Sequence, residues 1–414
     1  MIPKHLIVIG GGAAGIFCAV NAARLNPSLK VSVLEKTGKL LSKVKVSGGG
    51  RCNVTHACYD IADMMKRYPR GAHFVKKAFH RWFTTDTIAW FAERGVELKA
   101  EADGRMFPVT DSSQTIIDCL MREVNTYGVE IWMRTEVVDV DKKDIFRVHL
   151  ADGRVQEADF CCIACGGYPK STMFDWIRRL GHSIEPPVPS LFTFNIPGHP
   201  LTQLMGISVS DAQVKITGTR LVERGPLLIT HWGLSGPVVL RLSAWGAREL
   251  AAGDYQFTAL VNWVPDYTEQ TAREQLQQTR FDWAAQKMGN KNPFGLPQRL
   301  WEFLLTQSGT GPDTRWADLP ARDQNKLVAA LCAASFPVKG KTTFKEEFVT
   351  AGGVKLAEVD PATMQSRKTP GLFFAGEILD VDGITGGFNF QHAWTSGWTA
   401  ADTIARTGSA VQEG

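Results

Sequence analysis

Gly10, Gly12 and Gly15 stand at the spacing G-x-G-x-x-G, with Leu6-Ile-Val-Ile before them and small apolar residues at helical spacing after them. The chemistry this spacing serves is recognition of a diphosphate. The first glycine permits a tight turn, the second lets a pyrophosphate approach the backbone, and the third lets a helix pack closely on a strand. Ala14 lies in the same turn. Orphan N–H groups at the helix start, with the helix dipole behind them, favour an anion. The next strand, Val31-Ser-Val-Leu-Glu35, ends in an acid twenty residues after Gly15. There Glu35 can accept from the ribose hydroxyls of an adenosine; the bland alternative is a solvated charge at a strand end.

Other stretches carry the residue types of a binding site. Ser47-Gly-Gly-Gly-Arg51-Cys52-Asn53-Val-Thr55 reads as a loop whose backbone can lie flat against a ligand, with guanidinium and amide donors at its end. Ala158 to Gly167 reads as a strand ending in small residues, where Gly166 lets the backbone pass close to a cofactor. Near the C-terminus, Gly371-Leu-Phe-Phe-Ala-Gly376-Glu377 is a short buried strand entering a turn. Gly383-Ile-Thr-Gly386-Gly387-Phe388-Asn389 then opens a helix. A second glycine-rich helix N-terminus can set partial positive charge near an isoalloxazine ring, where reduced flavin is negative.

Other motifs are weaker. Cys162-Ile-Ala-Cys165 spells C-x-x-C at a strand end, where alternating side chains point apart, which disfavours a disulfide or metal pair. Gly233-Leu-Ser-Gly-Pro lacks the last glycine of G-x-S-x-G, so Ser235 reads as a helix cap and not as a nucleophile. Cys52 and His392 are the candidate proton donors, by their nearness in sequence to the expected flavin loops.

The elements that must position these residues follow from the rest of the chain. Its 414 residues suffice for two or three domains, and 44% hydrophobic with 21% charged residues is the balance of a globular protein. No apolar run reaches the length of a membrane span, no basic leader precedes the first strand, and the eight cysteines are scattered. The expectation is a cytoplasmic protein without a membrane segment. Residues 1–190 and 338–414 read as one discontinuous dinucleotide-binding domain. Residues 191–337 read as an insert, β-rich over 191–262 and helical over 263–337. The fold class expected is α/β, Rossmann-like, with an inserted β-barrel-like and helical domain.

Charge is uneven. The net +4 hides +9 between Lys36 and Phe83, with no acid from Met64 to Phe83 and Tyr68, Phe74, Phe79, Trp82 and Phe83 interleaved with the bases. Such a region either contacts RNA or is the solvated face of amphipathic helices whose aromatics are core.

Together, Gly10–Gly15, the Ser47–Thr55 block, Gly104-Arg-Met-Phe-Pro108, Gly233–Pro237, Thr350-Ala-Gly-Gly-Val354, Ala375–Gly383 and Thr385–Asn389 resemble the bacterial flavoproteins called YhiN-like, BaiN-like or aminoacetone-oxidase-like. The resemblance spans almost the whole chain. It implies FAD held by Gly10, Gly12, Ala14, Gly15, Glu35, Lys36, Arg51, Asn53, Gly376, Glu377, Asp382, Gly386, Gly387 and Phe388; Val137 and Gly166 complete the expected set. One departure is Tyr168-Pro-Lys-Ser-Thr-Met-Phe, where the family often has a Gly-Ser-Thr-Gly-Asp-Gly run; another is Cys165, where Thr is usual. The activity implied is that of an FAD-dependent oxidoreductase reducing an activated C=C bond. The substrate is uridine in ribosomal RNA or an unsaturated 3-oxo compound, and amine oxidation or a non-catalytic flavin-bearing binder are the alternatives. With one dinucleotide fingerprint visible, NAD(P)H would bind only transiently, at the flavin face. Metal is not expected.

Overall fold

A computed structural model describes residues 3–343 and 349–409. The chain divides into two compact units, residues 1–189 with 345–414, and residues 190–344.

The first unit is built on a five-stranded parallel sheet. Strand β1 (His5–Ile9) is central, helix α1 (Ala13–Leu25) follows it, and β2 (Lys30–Glu35) returns alongside, with Val8 opposite Val33. Across the sheet the order is Leu372–Phe374, Phe160–Ile163, β1, β2, Glu130–Met133. The inner strands are short and nearly continuously apolar because they are buried on both faces, as parallel strands are, whereas the edge strand Glu130–Met133 is partly exposed. The chain leaves β1 toward β2 on one side and meets Phe160–Ile163 on the other. That reversal makes the carboxyl ends of the strands the expected binding crevice. The C-terminal helix, Phe388–Ser409, packs against α1, and a Cβ on Gly397 would lie only 2.7 Å from the Ala14 carbonyl oxygen.

The Ser47–Thr55 stretch follows a short helix: Ser42–Gly50 is helical until Ser47, where extended backbone and then left-handed Gly48 and Gly49 break it. Arg105–Pro108 is a strand, pairing with Thr55–His56 on one side and Leu98–Ala100 on the other.

The second unit holds a seven-stranded antiparallel sheet in the order Ala334–Lys339, Gln256–Asn262, Ser208–Ile216, Val222–Ile229, Gly233–Ser235, Thr193–Asn195, Lys341–Thr342. Its first and last strands are consecutive in sequence. Gly340 joins them at φ +88°, donating its N–H to the Tyr255 carbonyl and accepting from Asn195 N–H. The sheet therefore curls into a barrel closed through one residue. Helices Glu269–Asp282, Gln298–Ser308 and Ala321–Cys332 share its core with the buried indoles of Trp263, Trp301 and Trp316. The unit runs past residue 337 because the strands at Ala334–Lys339 and Lys341–Thr342 belong to its sheet.

Among the described residues no helix is long and apolar enough to cross a membrane.

Candidate functional site

Every strand of the parallel sheet delivers expected cofactor residues at or just beyond its carboxyl end. Gly10–Gly15 follow β1, Glu35 ends β2, Gly166 follows Phe160–Ile163, Gly376 and Glu377 follow Leu372–Phe374, and Val137 lies shortly beyond Met133. The N–H of Thr135 donates to the Glu35 carbonyl at 2.8 Å, which ties the Val137 segment to the end of β2.

The three fingerprint glycines differ in what a side chain would meet. At Gly10, φ is +114° and a Cβ would sit 2.5 Å from the Ala164 carbonyl oxygen; at Gly15 it would sit 2.0 Å from the Gly10 carbonyl oxygen. At Gly12 it would meet nothing within 4 Å. Gly10 and Gly15 are thus glycine for packing, and Gly12 opens onto space. Gly12 is also the N-cap of α1, without a side-chain cap and with no acid in the first turn, so the first N–H groups keep their capacity for an anion. This cradle fits the diphosphate of a dinucleotide.

Around it the other residues are mutually tied. Glu35 accepts from Gly11 N–H at 2.9 Å and from the N–H and hydroxyl of Thr37, which fixes the turn and holds the carboxylate at the end of β2. Lys36 is exposed and lies over the Tyr168 ring, 5.7 Å from its centre. Gly376, at φ +75°, donates to Ser396 Oγ and approaches Ala14, whose Cβ a Gly376 side chain would meet at 2.8 Å. Glu377 receives Lys43 Nζ at 2.5 Å and Thr350 N–H at 2.8 Å.

The glycines before the C-terminal helix meet the Ser47–Thr55 block. A Cβ on Gly387 would fall 2.5 Å from the Thr55 carbonyl oxygen. The Asn53 side chain, with its amide oriented to satisfy both neighbours, accepts from Gly387 N–H and donates to the Thr55 carbonyl, each at 2.9 Å. Phe388 is buried and stacks on His56 with ring centres 4.6 Å apart.

Four expected residues stand differently. Cys52 is wholly buried at φ +62°, and burial pushes its thiol up to about 12. His392 is buried on the C-terminal helix, its Nε2 3.3 Å from the Gly376 carbonyl oxygen, and burial pushes the imidazole down to about 4. Both proton-donor candidates are thus enclosed by protein atoms. Asp382 is fully buried in a two-pronged ion pair with Arg70, which anchors the 380–383 turn. Arg51 lies over Phe107 and pairs with Glu101 at 2.6 Å, its charge already matched.

Sequence reasoning missed His56, Tyr68 and Arg70. The carbonyl of Gly386 can only accept, so the His56 Nδ1, 3.0 Å away, carries the proton and the neutral ring keeps a lone pair on Nε2. Burial lowers the His56 pKa. Tyr68 donates its hydroxyl to the Phe388 carbonyl at 2.7 Å. The available signal was their position: His56 directly follows the glycine-rich block, and Tyr68 and Arg70 sit in the acid-free run. In that run Tyr68, Phe74, Phe79, Trp82 and Phe83 are all buried, so these aromatics are core, while Lys66, Arg67, Lys76, Lys77 and Arg81 are offered to solvent. The C-x-x-C pair also separates: the Cys162 thiol faces Cys18, 3.8 Å away.

Comparison with known proteins agrees with this geometry. The family model described as the HI0933-like protein Rossmann domain matches residues 4–403. The chain is 32% identical to the ribosomal RNA dihydrouridine synthase of Escherichia coli, over 97% of this chain and 98% of that protein. It is 29% identical to the 3-dehydro-bile acid delta(4,6)-reductase of Clostridium scindens, over 96% and 98% respectively. Among solved structures, the 3-ketosteroid-delta4-(5alpha)-dehydrogenase of Rhodococcus jostii is similar in fold with a TM-score of 0.52, at 15% identity over 98% of each chain.

Proposed function

This chain belongs to the HI0933-like family and is an FAD-dependent oxidoreductase, and from that premise we propose that it reduces the C5=C6 bond of uridine in ribosomal RNA. The observation that carries the choice of substrate is the exposed basic face of residues 66–81. Lys66, Arg67, Lys76, Lys77 and Arg81 all face solvent, and Arg67, Lys76 and Lys77 have no carboxylate partner among the described residues. Phosphodiester backbone is the ligand such a face attracts. The full-length similarity to a ribosomal RNA dihydrouridine synthase supports the same reading.

Bound FAD supplies hydride chemistry that no side chain can. The residues proposed to hold it are Gly10, Gly12, Ala14 and Gly15 at the diphosphate, Glu35, Lys36 and Val137 at the adenosine end, and Gly166, Gly376, Glu377, Gly386 and Gly387 beyond. Asn53 and His56 keep the Gly386–Phe388 turn in place, leaving the N–H groups at the start of the C-terminal helix to face developing negative charge. Arg70, locked on Asp382, holds the turn before it. NADH or NADPH is the proposed electron donor, bound transiently.

The test is to incubate the flavin-loaded protein with NADPH or NADH and undermodified ribosomal RNA, then digest to nucleosides for mass spectrometry. The expected product is uridine carrying two additional hydrogens. The RNA reading falls if the nucleosides are unchanged while the flavin is reduced and an unsaturated 3-oxo steroid is consumed. That outcome would favour the second reading, supported by the bile acid reductase relative.

A further inference from the structure

The second unit carries a feature that neither its barrel nor its core explains. Between Val222–Ile229 and Gly233–Ser235 the chain turns through Thr230-His231-Trp232, and both ring-bearing residues face solvent, Trp232 at 45% exposure. The turn is rigid. Thr230 N–H and Gly233 N–H each donate to the other residue's carbonyl, and Thr230 Oγ1 also accepts from Trp232 N–H and Gly233 N–H. Gly233, at φ +151°, is pressed so close to the neighbouring strand that a Cβ would fall 2.2 Å from the Phe194 carbonyl oxygen. The indole is therefore held outward on a fixed support, with the His231 ring centre 4.7 Å away.

Trp232 is not an isolated apolar residue. Gly206 N–H donates to the Ile229 carbonyl, bringing Met205, 60% exposed, beside the turn, and Leu228 is exposed on the adjoining strand. The Trp232 carbonyl accepts from Ile196 N–H, which adds the 197–200 loop, and Arg299 donates to the Gln203 carbonyl at 3.0 Å. The stretches that carry Met205 and the turn contain no acid: neither Ser190–Ser210 nor Gly225–Leu240 has an Asp or Glu. Contiguous exposed apolar groups mark an interaction site, and a surface of aromatic rings, imidazole and guanidinium without carboxylates suits a polyanion that offers flat rings.

We propose that Trp232, with His231 beside it, is a stacking platform for an unpaired nucleobase of an RNA substrate. The inference rests on the RNA reading above and adds to it a base-stacking site on the second unit. Stacking on a rigid aromatic is tolerant of base identity, so the platform grips single-stranded segments, and specificity for a particular uridine is left to other contacts.

The experiment compares the flavin-loaded wild type, Trp232→Ala and Trp232→Phe for binding of a fluorescent oligouridylate and of an abasic oligomer of equal length. Melting curves check that the fold is retained. Trp232→Ala is expected to weaken oligouridylate binding by roughly 5- to 150-fold, the range for one lost base–aromatic stack. Trp232→Phe should recover most of the affinity, and all three proteins should bind the abasic oligomer alike. The proposal is overturned if Trp232→Ala binds oligouridylate as the wild type does, or loses the abasic oligomer to the same degree. It is also overturned if the variant loses only reduction of an unsaturated 3-oxo steroid. Failure of the wild type to bind either oligomer or ribosomal RNA would instead remove the RNA reading itself.

Discussion

At the scale of single residues, Gly12 and Gly15 separate folding from ligand binding. A methyl group on Gly12 meets no protein atom, and its φ of −86° suits alanine, so Gly12→Ala should melt with the wild type when free of flavin. The same methyl would occupy the space a diphosphate needs. FAD affinity, followed by flavin fluorescence, should fall roughly ten- to hundredfold, the loss of a hydrogen bond to a charged group. Gly15→Ala should behave oppositely, because its methyl would collide with the Gly10 backbone; a cost of about 1–3 kcal/mol in denaturant unfolding is expected. If both variants lost stability equally, the distinct role of Gly12 would be wrong. The buried proton-donor candidates teach a related lesson. Cys52 and His392 lie close in sequence to glycine-rich turns, but tight turns bury their neighbours as readily as they expose them.

At the scale of elements, the C-terminal helix holds His392 neutral against the Gly376 carbonyl, so helix packing and proton uptake are linked. Its folded pKa, about 4, lies below the ordinary value of 6.5, and the unfolded chain therefore binds more protons between those values. Stability should be complete above pH 6.5 and fall as pH drops toward 4, by about 2 kcal/mol between pH 7 and pH 5 from this residue. Urea unfolding at both pH values, wild type against His392→Asn, checks it: the variant's pH dependence should be flatter by that amount. The elements around this helix were legible to different degrees. The β1–α1–β2 unit and the return of the C-terminal segment could be read from short apolar runs meeting glycines, because a buried parallel strand has few other spellings. The short helix opening at Ser42 and the strand Arg105–Pro108, with a Gly before it and a Pro at its end, depend on tertiary partners and not on local preference. The Arg70–Asp382 pair joins residues 312 apart, which no local pattern reveals.

At the scale of the whole molecule, charge is the property that reaches furthest. The acid-free run supplies helix Ala72–Phe79, whose Lys76 and Lys77 face water while Phe74, Val75, Ala78 and Phe79 are buried. Replacing both lysines by alanine should lower the slope of log affinity for single-stranded RNA against log salt by about 1.4, near 0.7 per lost phosphate contact. An unchanged slope in filter binding across a salt series would remove this helix from the RNA contact. The second unit contributes through closure. Because Gly340 stitches the two border strands of its sheet together, that barrel exposes little unpaired backbone on which a second chain could nucleate intermolecular β-pairing. One glycine in left-handed backbone thereby serves as a safeguard against aggregation, in a unit that must keep aromatic side chains turned to water.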